Sequence, residues 1–101
     1  MTGLLPFETR YRAEKAADII IRPLDVMTLV YHRRSGITHI VAQPVPEILL
    51  AMAGKVMNAA ELAAKLAQEY DMDDNADVHA VLSERLEELA SLGLVEPVHA
   101  P

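Results

Sequence analysis

The sequence predicts an α+β domain: an N-terminal three-stranded antiparallel β-meander followed by three helices. Short β-branched runs fill its first half, whereas the second half is rich in Ala and Leu, with apolar residues three and four positions apart. After the last helical pattern come Gly93 and an apolar Leu-Val-Glu-Pro-Val segment. The order helix, turn, helix, glycine and strand is typical of a winged helix-turn-helix.

Three strands are expected because apolar, β-branched residues are interrupted twice by turn-forming residues. Pro23 ends the first run, and Gly36 lies in the turn before the third. Residues 1–17 show no clean period, so we interpret them as a flexible N-terminal arm that precedes a domain at residues 18–98. The predicted strands are Ile19–Ile21, Val26–His32 and Ile37–Ala42.

The register of the last two strands depends on the length of their loop. A two-residue loop at Ser35 and Gly36 places Tyr31 opposite Ile40 and His32 opposite His39. Two facing imidazoles do not complete a zinc site, which takes about four ligands. We therefore expect no metal and no cofactor, and we interpret both histidines as part of a half-exposed sheet face.

The first helix is predicted to begin at Pro44 and Pro46, because a proline in the first turn removes no helical hydrogen bond. It is expected to run to about Ala53, and Gly54 ends it. Its apolar stripe consists of Ile48, Leu49 and Met52.

Two further helices carry their own start and stop signals. Asn58, with Glu61 three residues later, resembles a capping box for the second helix. The acidic turn that follows supplies Asp74 or Asp77 as the cap of the third, and Gly93 stops it. The predicted stripes are Leu62, Ala63, Leu66 and Tyr70, then Val78, Val81, Leu82, Leu86, Leu89 and Leu92.

The charge distribution disagrees with the usual ligand of such a fold. The chain has a net charge of −6, and residues 58–101 hold two bases, Lys65 and Arg85, against ten acids, a balance of −8. DNA phosphates attract cations and repel a surface of this sign. A nucleic-acid partner is therefore not expected, and a winged-helix DNA-binding transcriptional regulator is the alternative function.

Composition bounds the remaining function classes. The chain has no cysteine, so disulfides, thiolate zinc sites and a cysteine nucleophile are excluded. No serine has a base at a motif spacing, and the four glycines are scattered, so we expect no enzyme and no phosphate-binding loop. Neither a secretory signal nor a membrane-spanning run is recognisable, which indicates a cytoplasmic protein without a membrane partner.

The third predicted strand, Ile37–Ala42, is an edge of the meander. It contains no Lys, Glu, Asp or Pro, the residues with which natural edges prevent pairing to another chain. Such an edge is covered by the N-terminal arm, paired in a homodimer, or open to a visiting peptide strand. The sequence leaves these three alternatives open.

The order of elements resembles a known family. Three short strands precede a helix that begins Pro-Val-Pro-Glu-Ile-Leu, the helix Asn-Ala-Ala-Glu-Leu-Ala-Ala-Lys-Leu and the ending Leu-Glu-Glu-Leu-Ala-Ser-Leu-Gly-Leu-Val. Together they resemble the PqqD family of small chaperones for ribosomally made precursor peptides, also called RiPP recognition elements. The segment Leu29–His39 is similar to the PqqD-related subgroup that accompanies a protein related to HPr kinase.

The resemblance implies a cytoplasmic, non-enzymatic adaptor. In that family the leader of a precursor peptide adds as a strand to the third strand, beside the last helix, and is presented to a modifying enzyme. Arg85, the lone cation of that helix, would pair with an acidic leader residue. The implied peptide-binding residues are Ile37, Thr38, His39, Ile40 and Val41 on the strand, with Val78, Val81, Leu82 and Arg85 on the helix.

Overall fold

The computed structural model describes residues 9–70 and 73–98. These residues form an α+β fold with three helices and six strands, arranged in two antiparallel three-stranded sheets. The strands are β1 (Arg10–Ala13), β2 (Ile19–Leu24), β3 (Met27–His32), β4 (Ile37–Val41), β5 (Val56–Met57) and β6 (Val95–Val98). The helices are α1 (Val45–Met52), α2 (Ala59–Tyr70) and α3 (Ala76–Ser91).

The first sheet has the order β2-β3-β4 and contains the three predicted strands. The predicted end of the first strand at Pro23 is wrong, because β2 continues through Pro23 to Leu24. The predicted register between β3 and β4 is wrong by two residues: Ile40 lies opposite Leu29, and His32 lies opposite Ile37. The reason is that all four residues between the two strands form the turn. A slip of two residues leaves every side chain on the same face of the sheet.

The second sheet has the order β5-β1-β6, with β1 at its centre. Residues 9–17 belong to the predicted N-terminal arm, and the sequence analysis did not predict a strand there. β1 has only four residues, of which Tyr11 and Ala13 are buried while Arg10 and Arg12 are exposed. Residues 1–8 of the arm lie outside the described residues.

The three helices supply most of the core. The largest fully buried side chains are Ile48, Leu49 and Met52 of α1, Leu62 and Leu66 of α2, Leu82, Leu86 and Leu89 of α3, together with Val30 and Leu94. Three members of the predicted stripes are instead exposed: Tyr70 at 45 %, Val81 at 47 % and Leu92 at 43 %. Over the described parts of the chain, none of the helices is both long and apolar enough to cross a membrane.

The capping box of α2 is confirmed by two reciprocal bonds. The Asn58 amide donates to Glu61 Oε1 at 2.9 Å, and the Glu61 amide donates to Asn58 Oδ1 at 2.8 Å. The predicted cap of α3 is wrong: Asn75, which directly precedes the helix, accepts a bond from the Val78 amide at 2.9 Å. Asp77 lies inside the first turn, where a side chain no longer occupies the cap position.

Candidate functional site

β4 is an edge strand of the first sheet. The hydrogen-bond pattern of β3 decides which backbone groups of β4 face away from that sheet. The Arg33 amide donates to the Asp18 carbonyl at 2.9 Å, so Arg33 continues the β2–β3 ladder. Alternate residues of an antiparallel strand face the same neighbour. Tyr31 therefore faces β2 through its backbone, whereas Val30 and His32 face β4.

This alternation fixes the outward groups of β4. His39 lies opposite Val30, so its backbone N–H and C=O face β3. The backbone groups of its neighbours, Thr38 and Ile40, consequently point away from the sheet. The Ile40 side chain is 67 % exposed. We call the outward N–H and C=O groups of Thr38 and Ile40 the β4 edge.

The other edge of this sheet, β2, differs from β4. Pro23 lies opposite Thr28, an even-numbered residue of β3 whose backbone faces β4. Pro23 therefore occupies a position without a ladder bond, where its missing N–H would have pointed outward. A proline at that position hinders pairing with another strand, and β4 contains no such residue.

The described part of the N-terminal arm does not cover the β4 edge. β1 pairs with β6 through Arg10–Ala13 and with β5 through Tyr11 and Arg12, both in the second sheet. Among residues 9–70 and 73–98, β4 pairs with β3 alone. An edge of this kind offers main-chain hydrogen bonds to an incoming strand.

The predicted helix residues form a second feature. Val78, Val81 and Leu82 share one apolar cavity of about 200 Å³ with Pro44 and Asp77, and we call it the α3 cavity. Leu82 is buried beneath it, while Val81 is 47 % exposed. The five predicted residues of β4 do not line the cavity. Pro44, which follows the end of β4 by three residues, brings it close to the strand.

Pro44 and Asp77 belong to the α3 cavity, although the sequence analysis did not include them in the site. The position of Pro44 shortly after the edge strand was the available signal. Arg85, which the resemblance assigned to an acidic leader residue, forms an ion pair with Glu88 one turn later on α3. A carboxylate from a partner would therefore have to compete with Glu88.

His32 and His39 do not face each other, because the turn takes four residues. His39 is half-buried, and its Nε2 is buried without a hydrogen-bond partner. The described residues contain no cluster of three or more His, Cys, Asp or Glu side chains that could hold a metal ion.

The prediction that His32 lies on a half-exposed sheet face is wrong, because His32 is buried and forms a bridge to two other side chains. Its Nδ1 lies 2.9 Å from Ser35 Oγ, and its Nε2 lies 2.9 Å from Glu14 Oε2. The other Glu14 oxygen accepts a bond from Arg34 at 2.9 Å. The side chains of His32 and Glu14 are only 7 % and 13 % exposed. This bridge ties residue 14 to the turn that leads into β4.

The side chains of Ser35, His32 and Glu14 are hydrogen-bonded in series, an arrangement that is also found in nucleophilic catalysis. Such chemistry is assisted by hydrogen-bond donors, often backbone N–H groups, that stabilise a developing oxyanion. The Gly36 amide already donates to the His32 carbonyl at 2.8 Å, and the Ile37 amide donates to Ser35 Oγ at 3.2 Å. The two amides that follow Ser35 therefore hold the turn together.

Comparisons with protein-family models, with curated proteins and with solved structures found no match to this chain. A function has to be inferred from the β4 edge and the α3 cavity themselves.

Proposed function

We propose that this protein is a non-catalytic, cytoplasmic peptide-binding adaptor of the PqqD type. The leader of a precursor peptide adds as an antiparallel or parallel strand at the β4 edge, and its apolar side chains enter the α3 cavity. The helices α1 to α3 act as a winged helix-turn-helix scaffold that positions the cavity. The adaptor then presents the bound peptide to a modifying enzyme or to an HPr-kinase-related protein.

The observation that carries this proposal is the outward backbone of Thr38 and Ile40, which pairs with no other strand among residues 9–70 and 73–98. Main-chain hydrogen bonds give affinity in strand addition, and pockets for alternate side chains give selectivity. The α3 cavity supplies an apolar pocket that is lined by Pro44, three residues after the end of the same strand. Val81 supports this interpretation because a valine of an apolar helical stripe is left 47 % exposed.

The test requires a peptide ligand, which a library of displayed random peptides provides. Peptides selected on the wild-type protein are measured by calorimetry against Ile40→Pro, which removes an outward N–H. We expect binding at least about tenfold weaker, because a main-chain bond is lost and the ring blocks strand pairing. Ile40→Thr is the matched control: it keeps the N–H and a β-branched side chain, so it should retain binding.

A second pair of variants tests the helix side. Val81→Asp places a charge in the α3 cavity and should weaken the same peptides, whereas Leu92→Asp, at a similarly exposed position outside the cavity, should not. Circular dichroism must show that all four variants are folded. Undiminished binding by folded Ile40→Pro, or a wild-type homodimer in sedimentation that occupies the β4 edge, would contradict the proposal.

A further inference from the structure

A separate pocket includes Gln43 of the loop that joins β4 to α1. It is formed by the tip of the β2–β3 hairpin, the first turns of α1 and the last residue of α2, and we call it the hairpin pocket. Its volume is about 610 Å³, which is in the usual range of roughly 300–1,000 Å³ for small-molecule sites. Among the residues that line it are Pro23, Asp25, Thr28, Glu47, Leu50 and Tyr70.

Glu47 is the unusual residue of the hairpin pocket. Its Oε1 atom is buried and has no hydrogen-bond partner. Glu47 is the third residue of α1, the position from which a glutamate normally accepts a bond from the backbone N–H of the cap residue. The cap residue here is Pro44, which has no N–H.

The helix α2 provides a comparison, because its third residue is also a glutamate. In α2, Glu61 accepts its bond from the Asn58 amide at 2.9 Å. In α1 the second residue, Pro46, also lacks an N–H, and the Val45 amide donates to the Ala42 carbonyl at 3.0 Å. The prolines thus remove the donors that would have satisfied the Glu47 carboxylate. A buried carboxylate oxygen without a donor is unfavourable. Because Oε1 has almost no accessible surface, the Glu47 side chain must turn toward the pocket before a ligand can donate to it, and that ligand then gains the difference.

The other walls of the pocket determine which donor fits. Asp25 adds a second carboxylate at the hairpin tip, and the lining includes no Lys or Arg. Leu50 and Val26 are exposed apolar side chains, at 55 % and 79 %. Tyr70 also lines the pocket, and an aromatic ring attracts a cation over its face. The combination suits a positively charged group on an aliphatic chain.

We propose that the hairpin pocket binds an alkylammonium or guanidinium cation, with the charge at Glu47 and the aliphatic part against Leu50, Val26 and Tyr70. This inference does not depend on peptide addition at the β4 edge, because the hairpin pocket and the α3 cavity share no residue. The cation belongs either to a basic side chain of a protein partner or to a free amine.

The test is a titration of the isotope-labelled full chain followed by NMR. The probes are n-butylammonium and n-butylguanidinium, with n-butanol as the uncharged isostere. We expect saturable shifts of the Thr28, Gln43 and Glu47 amides with both cations and not with the alcohol. Glu47→Gln should weaken the binding at least about tenfold, the effect of losing one charge-assisted hydrogen bond. Glu84→Gln, which makes the same change of net charge on exposed α3, should leave it unchanged.

Two further probes identify the source of the cation. Stronger binding of N-acetyl-lysine or N-acetyl-arginine methylamide than of putrescine supports a basic side chain, and the reverse order supports a free amine. Equal affinity of folded Glu47→Gln and the wild-type chain overturns the proposal, as does equal affinity for butanol. So does the lack of saturable shifts up to about 10 mM, where a ligand with a Kd of 1 mM is mostly bound.

Discussion

Tyr11 is an ionisable side chain at the centre of the small second sheet, with only 6 % of its surface exposed. Burial raises the pKa of its phenol above the usual value of 10.0, and the negative charge of Glu87 raises it further. The folded state therefore holds the phenolic proton more tightly than the unfolded state. Its contribution to stability is complete below the unfolded pKa and is lost as the pH rises through the folded pKa.

Tyr11→Phe should remove this alkaline loss of stability. Between about pH 9 and pH 11, urea denaturation should show a smaller decrease in the free energy of unfolding for the variant than for the wild-type chain. Tyr31→Phe, at a position that is 37 % exposed, is the control and should follow the wild-type chain. If the free energy of unfolding has the same pH dependence in the wild-type chain and in Tyr11→Phe, Tyr11 does not cause the alkaline loss of stability.

At the scale of elements, the N-cap of α3 is Asn75 and not one of the nearby acids, Asp74 and Asp77. Asn75 Oδ1 accepts a bond from the Val78 amide, whereas Asp77 lies in the first turn, where a negative charge is stabilised by the helix dipole. Asn75→Ala should lower the free energy of unfolding by about 1 kcal/mol. Asp77→Ala should cost less, about 0.5 kcal/mol. Urea denaturation measures both, and an equal or larger loss for Asp77→Ala would return the cap to the position predicted from sequence.

The elements differ in how far the sequence could predict them. Helices depend on local patterns, so the ends of α1 and α2 were predictable from Pro44, Gly54 and the Asn58–Glu61 box. β1 depends on partners more than 40 positions away in β5 and β6, and four residues that alternate in burial resemble an ordinary polar segment. The register of β4 depended on one assumption, the length of a loop that contains both Ser35 and Gly36.

The candidate site was likewise predictable from the sequence only in part. The order of a simple meander predicted that Ile37–Ala42 is an edge strand, and the structure has β4 at the edge of its sheet. The absence of charge and proline from this segment is a property of composition that the sequence shows directly. The α3 cavity was not predictable as a cavity, because Val81 and the buried Leu82 belong to the same stripe and differ only in what packs on them. The Arg85–Glu88 pair and the Glu14–His32 bridge likewise require coordinates, since several alternative partners are equally near in sequence.

At the scale of the whole molecule, the distribution of charge favours the proposed peptide over DNA as the partner. The exposed face of α3, which would enter a DNA groove, carries Glu84, Glu87 and Glu88, and Arg85 is already paired. The chain as a whole has a net charge of −6. Phosphate contacts supply nearly all of the nonspecific affinity of DNA-binding proteins, and here they would be repulsive.

A titration of labelled random duplex DNA at low salt, followed by fluorescence polarisation, should therefore show no saturable binding in the range of about 10⁻⁶ to 10⁻⁴ M that nonspecific DNA binders reach. Replacing both Glu84 and Glu87 with Lys changes the charge of the α3 face by four units. If acidity alone prevents binding, this variant should gain an affinity that falls steeply with salt, while peptide binding at the β4 edge persists. Salt-sensitive binding of DNA by the wild-type chain would instead favour a transcriptional regulator, because the scaffold would then bind phosphates despite its acids.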